Sequence, residues 1–320
     1  MTPAKISCLF AFAASCLGSM AEEVRFEKID LTASASGHCL VPVKVDDHDA
    51  RFIVDSGAGT VIVLAKAYAE SIGKDLAVLK GGTALGGEIE MHKTDVGQFK
   101  LGTTFPPLKL GGLQVVDLSS ASIRVDGKDV FADGLLGAGI MDLCNAVFDP
   151  TAPALLIPPR GTPDAAFLES KAAAGHLVLP LFKGGMQMPF IDITLHGKAR
   201  TFLVDTGAGP NSLEPDFAAE LNLPKDSEGG SLDGAGGSKV TNIHRVTARD
   251  VLIGGKVKPG ETPFYVFSVH AKVQLPEDKT FGGILGVQTL AKLGAFVDLG
   301  SYSLVIPSKS ASKDSVPANP

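Results

Sequence analysis

The chain contains no tryptophan, three tyrosines and four cysteines in 320 residues. Its seven histidines are scattered, and no group of histidines and cysteines has the spacing of metal ligands. No stretch is rich in lysine and arginine, and the net charge of -6 argues against a nucleic-acid partner. We therefore expect no metal, no other cofactor and no nucleic-acid function, and we interpret each histidine as a surface or core residue without a catalytic role.

Only one segment carries a long run of apolar and small residues, at 6–18 near the N-terminus. It follows one positive charge at Lys5 and precedes Ser19-Met20-Ala21, a pattern typical of a signal-peptidase site. The run is shorter than the about 20 apolar residues that a membrane span needs. We predict that residues 1–21 are a signal peptide and that the mature protein is periplasmic or secreted, without stable membrane insertion. Acylation at Cys16 in a lipoprotein is the alternative.

Removal of the signal peptide would leave two cysteines, Cys39 and Cys144. Two cysteines in an exported protein form at most one disulfide. Both lie in the first half of the chain, so a bridge would join that half to itself. Two buried free thiols are the other outcome, and the sequence leaves the choice open.

Glycine is abundant, with 37 residues. It adopts backbone conformations that side chains forbid, and an excess indicates many tight turns and bulges. Such a composition favours an all-β fold.

The chain contains an internal repeat with an offset of about 150 residues. Three motifs recur in the same order, and the aspartate precedes the second motif by 79 residues in one copy and by 78 in the other. The pairs are Phe-Ile-Val-Asp-Ser-Gly-Ala-Gly at 52–59 with Phe-Leu-Val-Asp-Thr-Gly-Ala-Gly at 202–209, Gly-Leu-Leu-Gly at 134–137 with Gly-Ile-Leu-Gly at 283–286, and a closing apolar-Asp and Ile-Pro pattern at 148–158 with 297–307. This agreement indicates a duplicated domain.

Local patterns predict similar elements in both copies. Alternating apolar and polar residues at 41–45 and 191–195 indicate half-buried strands, and the next, fully apolar strand ends at the aspartate. Apolar stripes predict short helices at 61–72 and 214–221. We expect a first lobe at 22–158, a linker with a short helix at 159–176, a second lobe at 177–308 and a disordered tail at 309–320.

The two repeated aspartates, Asp55 and Asp205, are the candidate catalytic residues. Burial disfavours a charged carboxylate. This cost can be offset by hydrogen bonds to the carboxylate from backbone N–H groups of the following turn and from the hydroxyl of Ser56 or Thr206. Gly57 and Gly207 let each turn fold tightly. Two carboxylates that meet at one site share a proton, which provides an acid and a base for the direct attack of water on an amide.

These motifs resemble the aspartic peptidases of the pepsin and retropepsin type, over roughly residues 38–308, and in particular exported bacterial retropepsin-like proteins. The resemblance implies an all-β fold of two β-barrel-like lobes with pseudo-two-fold symmetry, a cleft between them and a few short helices. It also implies that the downstream motif packs against each catalytic turn, which assigns this role to Leu136, Gly137, Leu285 and Gly286.

The pepsin type also carries a glycine-rich hairpin, the flap, that closes over the substrate. Glycine-rich segments at 81–87 and 229–237 lie at suitable distances after the two aspartates. The flap candidates are Leu85, Gly86, Gly87, Gly234, Ala235 and Gly236. Mobile surface loops are the alternative interpretation, and the flap tyrosine of pepsin-like enzymes has no counterpart here.

The sequence thus predicts an aspartic endopeptidase that acts on peptide or protein substrates, for which a monomer is sufficient. A non-catalytic protein that uses the same fold to bind a peptide or another ligand is the alternative. A dinucleotide site at 234–237 is not expected, because those glycines lie between turn residues and a strand rather than between a strand and a helix.

Overall fold

The computed structural model describes residues 26–59, 62–84, 87–119, 122–159, 165–227, 229–233, 239–269, 273–275 and 278–308. The predicted signal peptide at 1–21, five of the six flap candidates and the predicted tail at 309–320 lie outside these residues. The described residues are mostly β, with five short helices.

The first half contains thirteen strands and two helices among its described residues. They are β1 (Glu27–Asp30), β2 (Thr32–Ala33), β3 (Cys39–Val45), β4 (His48–Asp55), β5 (Ile62–Ala65), α1 (Lys66–Ser71), β6 (Ala77–Ala84), β7 (Gly87–Lys100), β8 (Leu108–Val116), β9 (Ser122–Val125), β10 (Lys128–Phe131), β11 (Gly134–Gly137), α2 (Ala138–Leu143), β12 (Val147–Asp149) and β13 (Ala154–Ile157).

The second half repeats this order after a connecting helix. Its described elements are α3 (Ala165–Ala173), β14 (Leu177–Pro180), β15 (Phe182–Lys183), β16 (Pro189–Leu195), β17 (Lys198–Asp205), β18 (Ser212–Leu213), α4 (Pro215–Leu221), β19 (Lys225–Ser227), β20 (Ser231–Asp233), β21 (Lys239–Thr241), β22 (His244–Ala248), β23 (Val251–Ile253), β24 (Thr262–Val266), β25 (Phe281–Gly286), α5 (Val287–Leu293), β26 (Phe296–Asp298) and β27 (Ser303–Ile306).

Each lobe is a sheet that curls on itself. In the first lobe the strand order is β2-β3-β4-β11-β5-β8-β7-β6, and a further pairing of β7 with β3 closes a ring. In the second lobe β22 pairs with β24, and β23, which follows after two residues, pairs with β16. The same strand path therefore closes both rings, and the prediction of two related β-barrel-like lobes is confirmed.

A six-stranded sheet joins the lobes, in the order β1-β13-β12-β26-β27-β14. At its centre β12 pairs antiparallel with β26, and the outer strands follow in matching order on either side. The closing motif of each copy builds this sheet. The two copies of the repeat are therefore related by a pseudo-two-fold axis between β12 and β26. Helix α3 packs on it through Phe167, which lies edge-on to Phe26 and Phe296.

The prediction of a helix at 61–72 is wrong in its first half. Residues 62–65 form β5, which lies between β11 and β8, and the helix begins only at Lys66. All four residues of β5 are buried. The branched side chains of Ile62 and Val63 suit a strand packed on both faces, and this tertiary context outweighs the local apolar stripe.

Candidate active site

Asp55 and Asp205 each lie at the last position of a central strand. β4 runs parallel to β11 and β17 runs parallel to β25, with Asp55 opposite Gly137 and Asp205 opposite Gly286. Val54 and Val204, the preceding residues, are fully buried. Asp205 is buried, at 9% exposure, and Asp55 is partly exposed. The apolar strands thus carry both carboxylates to the same end of the two lobes.

Backbone N–H groups of each turn hold the carboxylates, as expected. The Ala58 N–H donates to Asp55 Oδ1 at 2.9 Å. In the second turn the N–H groups of Gly207 and Ala208 donate to Asp205 Oδ1 at 2.8 and 3.1 Å. These donors stabilise the ionised form of each acid.

The hydroxyls of the two turns bind the opposite lobe, and the expectation that they donate to the carboxylates is wrong. Ser56 Oγ donates to the Val204 carbonyl at 2.7 Å, and Thr206 Oγ1 donates to the Val54 carbonyl at 2.8 Å. Each hydroxyl also accepts a 3.0 Å hydrogen bond from the backbone N–H of the other. Both side chains are fully buried. These four reciprocal bonds fix one turn against the other.

The glycines of the turns make room for the opposite carboxylate. A Cβ added at Gly57 would lie 2.5 Å from Cγ of Asp205, and one added at Gly207 would lie 2.5 Å from Oδ1 of Asp55. Real Cβ atoms essentially never approach other atoms so closely. Each carboxylate therefore occupies the space beside the other lobe's glycine.

Burial and mutual proximity keep a proton on this pair. Burial raises the pKa of Asp55 well above its ordinary value, and the negative charge of Asp205 raises it further. Burial also raises the pKa of Asp205, against the lowering effect of its backbone donors. Because the charge of one carboxylate disfavours ionisation of the other, the pair holds one proton over an extended pH range.

The downstream motifs support the two turns. Leu136 and Leu285 are fully or almost fully buried beside β4 and β17. After each motif a helix begins whose first N–H groups point at the turn: Ala138 N donates to the Ala58 carbonyl at 2.9 Å and Val287 N to the Ala208 carbonyl at 2.8 Å. At Gly286, an added Cβ would lie 2.7 Å from the Gly209 carbonyl oxygen. Gly137, opposite Asp55, is the N-cap of α2.

The strands around both flap candidates form hairpins. In the first lobe β6 and β7 pair up to Ala84 and Gly87, so Leu85 and Gly86 connect their ends but lie outside the described residues. In the second lobe β20 and β21 pair from Asp233 to Lys239. Their connection holds Gly234, Ala235 and Gly236, which also lie outside the described residues. The closing motion remains a prediction.

Sequence reasoning missed two loops that reach across to the opposite turn. Residues 34–38 lie beside the second turn, where a Cβ at Gly209 would be 3.3 Å from the Ser36 carbonyl oxygen and 3.4 Å from His38 Cε1. Residues 184–188 lie beside the first turn, where a Cβ at Gly59 would be 3.3 Å from the Met186 carbonyl oxygen. The 150-residue offset relates these loops, and applying it to the residues before β3 and β16 could have found them.

Cys39 and Cys144 do not form a disulfide, a choice that the sequence left open, and both are free and buried thiols. Burial raises the pKa of Cys39 to about 11 and that of Cys144 to about 12. Over the described part of the chain, no three or more histidine, cysteine, aspartate or glutamate side chains are grouped as metal ligands would be. No helix within that part is long and apolar enough to cross a membrane.

A family model matches both repeats of the chain. The sequence model described as aspartyl protease matches residues 41–140 and 191–289, and each matched segment runs from the strand before the one that ends in the aspartate into the helix after the downstream motif. A comparison with curated protein sequences finds no significant match. Among solved structures, the crystal structure of an aspartic proteinase from Irpex lacteus is 12% identical, covers 90% of this chain and 99% of its own, and has a TM-score of 0.45. The two matched segments together cover more than half of the chain, and the chain therefore belongs to the aspartyl protease family.

Proposed function

We propose that this protein is an aspartic endopeptidase that hydrolyses peptide bonds with a water molecule activated between Asp55 and Asp205. The observation that carries the proposal is the approach of the two carboxylates, each beside the glycine of the opposite turn. A structural role alone would not favour this arrangement, because burying two like acids side by side is unfavourable.

The chemistry follows from the shared proton. The ionised carboxylate accepts a proton from water, whose oxygen attacks the carbonyl carbon of the peptide bond. The protonated carboxyl donates to the carbonyl oxygen and neutralises the charge that develops there. The reaction needs no covalent intermediate with the protein. One chain supplies both acids, so a monomer is sufficient.

The test is incubation of the protein with a diverse peptide mixture from pH 3 to pH 8, beside Asp55→Asn and Asp205→Asn. We expect internal cleavage by the unaltered protein, inhibition by statine-type mimics of the hydrated amide, and loss of turnover in both variants. Asp126→Asn, on an exposed turn, is the matched control and should cleave normally. Peptide binding without cleavage, unchanged in Asp55→Asn, would instead support a non-catalytic binding protein.

We further propose that the protein acts outside the cytoplasm, on the basis of residues 1–21. The test is export of a reporter fused to these residues, with N-terminal sequencing of the product. We expect cleavage after Ala21. Retention in the membrane that is lost in Cys16→Ser would support the lipoprotein alternative.

A further inference from the structure

A pocket of about 400 Å³ lies beside the turn that follows Asp205. It begins at Pro210, the residue after Gly209 at the end of that turn, and its other walls come from β22, β24 and one face of α5. Two of the described residues that line it, Arg245 and Lys292, are basic, and none of them is acidic. In a chain whose net charge is -6, a pocket with this lining favours a negatively charged ligand.

Asn211 is the buried base of the pocket and connects it to the candidate active site. Its Oδ1 accepts a hydrogen bond from the backbone N–H of Gly286 at 3.0 Å, and Gly286 lies opposite Asp205 in the sheet. Its Nδ2 donates to Thr289 Oγ1 at 2.7 Å and to the Pro263 carbonyl at 3.1 Å. These bonds fix the base of the pocket relative to the strand that carries Asp205.

The α5 side of the pocket presents donors that lack a strong acceptor in the described part of the chain. Thr289 is buried, and its hydroxyl oxygen accepts from Asn211, which leaves its proton available for another partner. The ammonium group of Lys292 has one hydrogen bond within the described residues, to the Glu261 carbonyl oxygen at 3.4 Å. The Glu261 carboxylate pairs with Arg249 instead, at 3.1 Å. The charge of Lys292 is therefore not neutralised by that acid.

The sheet side of the pocket carries the second base. Arg245 on β22 lies directly opposite Tyr265 on β24, and both line the pocket. Nε of Arg245 lies 3.7 Å from Asp226 Oδ2, and that oxygen also accepts a hydrogen bond from the Thr247 hydroxyl at 2.6 Å. A guanidinium group has five N–H donors, so Arg245 can bind a further carboxylate beside this long ion pair.

The first lobe has no equivalent of the polar face of α5. Helix α5 follows Gly286 as α2 follows Gly137, which gives an offset of 149 residues at these helices. This offset pairs Gln288, Thr289 and Lys292, which all line the pocket, with Gly139, Ile140 and Leu143. Ile140 is fully buried in the core. The fold therefore does not require polar side chains here, and the pocket belongs to the second lobe alone.

We propose that this pocket binds the carboxylate of an aspartate or glutamate side chain in the peptide substrate, a few residues from the bond that is cleaved. The inference rests on the proposed function for the identity of the ligand as a substrate. Gln288 supports this placement, because its Nε2 donates to the Ser36 carbonyl at 3.2 Å, in the loop that the first lobe extends beside the turn after Asp205. The wall of the pocket is thus continuous with a segment that spans both lobes.

The length of α5 sets the expected position of the acidic residue. Lys292 lies six residues beyond Gly286, the partner of Asp205, which corresponds to about 9 Å along a helix. An extended peptide covers about 3.4 Å per residue. We therefore expect the acidic side chain about three residues from the cleaved bond, on one side of it.

Charge distinguishes the expected ligand from its neutral analogue. A carboxylate can accept charge-assisted hydrogen bonds from Lys292 and Arg245, which are stronger than the bonds that a neutral amide accepts. Lys292 is exposed, so water and salt weaken the attraction. We expect glutamate to be preferred to glutamine by about three- to tenfold.

The experiment starts from one peptide that the protein cleaves and replaces each residue from the second to the fifth on both sides of the cleaved bond by glutamate or glutamine. The ratio of kcat/KM for each pair is measured with the unaltered protein, Lys292→Met and Lys292→Arg. The matched control is Lys256→Met, an exposed lysine in the turn after β23. We expect a preference for glutamate at one position, its loss in Lys292→Met and its retention in Lys292→Arg and Lys256→Met. The glutamine peptide should react within about twofold in all four proteins.

Two results would overturn the proposal. One is a lack of preference for glutamate at every position tested, and the other is an equal loss of preference in Lys292→Met and Lys256→Met. Both lysines are exposed, so neither substitution disturbs the core. If no peptide is cleaved, calorimetry with peptide mixtures that carry glutamate or glutamine at one fixed position replaces the kinetics. Tighter binding of the glutamate mixture that is lost in Lys292→Met would then overturn the proposed function but not the pocket, whereas cleavage without any preference would overturn the pocket but not the function.

Discussion

The hydroxyl of Ser56 donates a hydrogen bond to the carbonyl of Val204, 148 residues away in the other lobe. Thr206 donates the equivalent bond to the Val54 carbonyl, so the turns after Asp55 and Asp205 are joined by a symmetric pair of buried contacts. The serine and threonine of the repeated motif therefore hold the lobes in register. The carboxylates depend on them for their approach, although neither hydroxyl binds a carboxylate.

Ser56→Ala should destabilise the protein. The substitution removes the hydroxyl donor to the Val204 carbonyl and leaves the buried Thr206 N–H without its acceptor, which typically lowers the free energy of unfolding by about 1–3 kcal/mol. Urea denaturation measures this. Ser71→Ala, which removes an exposed hydroxyl on α1, is the control and should change stability far less. Equal effects of the two substitutions would contradict the importance of the cross-lobe bond.

Gly57→Ala should abolish most of the activity. The added methyl group would occupy the position of the Asp205 carboxylate and push the two acids apart. A misplacement of about 1 Å can lower a rate by about 100-fold. Steady-state kinetics on a cleaved peptide measures the loss. Gly111→Ala places its methyl group in an ordinary contact, 3.4 Å from Asp95 Oδ1, and should retain activity. Full activity in Gly57→Ala would show that the carboxylates do not meet as described.

The buried pair Asp55 and Asp205 should make the protein less stable as the pH rises. Burial raises the pKa of both acids above their ordinary value of 3.8, so the folded state keeps a proton that the unfolded chain releases. The stabilising contribution is complete below pH 3.8 and is lost as the pH rises through the folded pKa values. Thermal unfolding, measured from below pH 3.8 upward, should show a smaller decline of stability with pH in Asp55→Asn than in the unaltered protein. Asp126→Asn should decline like the unaltered protein, and an identical slope in all three would contradict the raised values.

The two thiols should resist modification in the folded protein. Cys39 and Cys144 are buried, and burial raises their pKa to about 11 and about 12, so little reactive thiolate forms at pH 8. In a chain that starts at residue 22 these are the only cysteines. We expect two equivalents of a thiol reagent to react in denaturant and almost none without it. A single bridged pair, unreactive in denaturant until reduced, would contradict the free thiols.

The fold class and the two candidate aspartates, Asp55 and Asp205, could be predicted from the sequence because the internal repeat points to both. Related motifs at a constant offset require two similar domains, and a run of apolar residues that ends in aspartate places that aspartate at a strand end. Both inferences depend on local patterns and on order along the chain. The same offset also relates the loops before β3 and β16, but no sequence motif pointed to them, and their place beside the two turns became visible only in the structure.

The remaining features required contacts between distant residues. The partner of the Ser56 hydroxyl lies in the other lobe, and the strand at 62–65 is a strand because β11 and β8 lie on either side of it. The state of Cys39 and Cys144 likewise depends on where the core places them. The sequence by itself determined a duplicated β protein with two special aspartates. Only the tertiary structure decided which groups hold those aspartates together, because hydrogen bonds and close contacts between the lobes join residues that no local pattern connects.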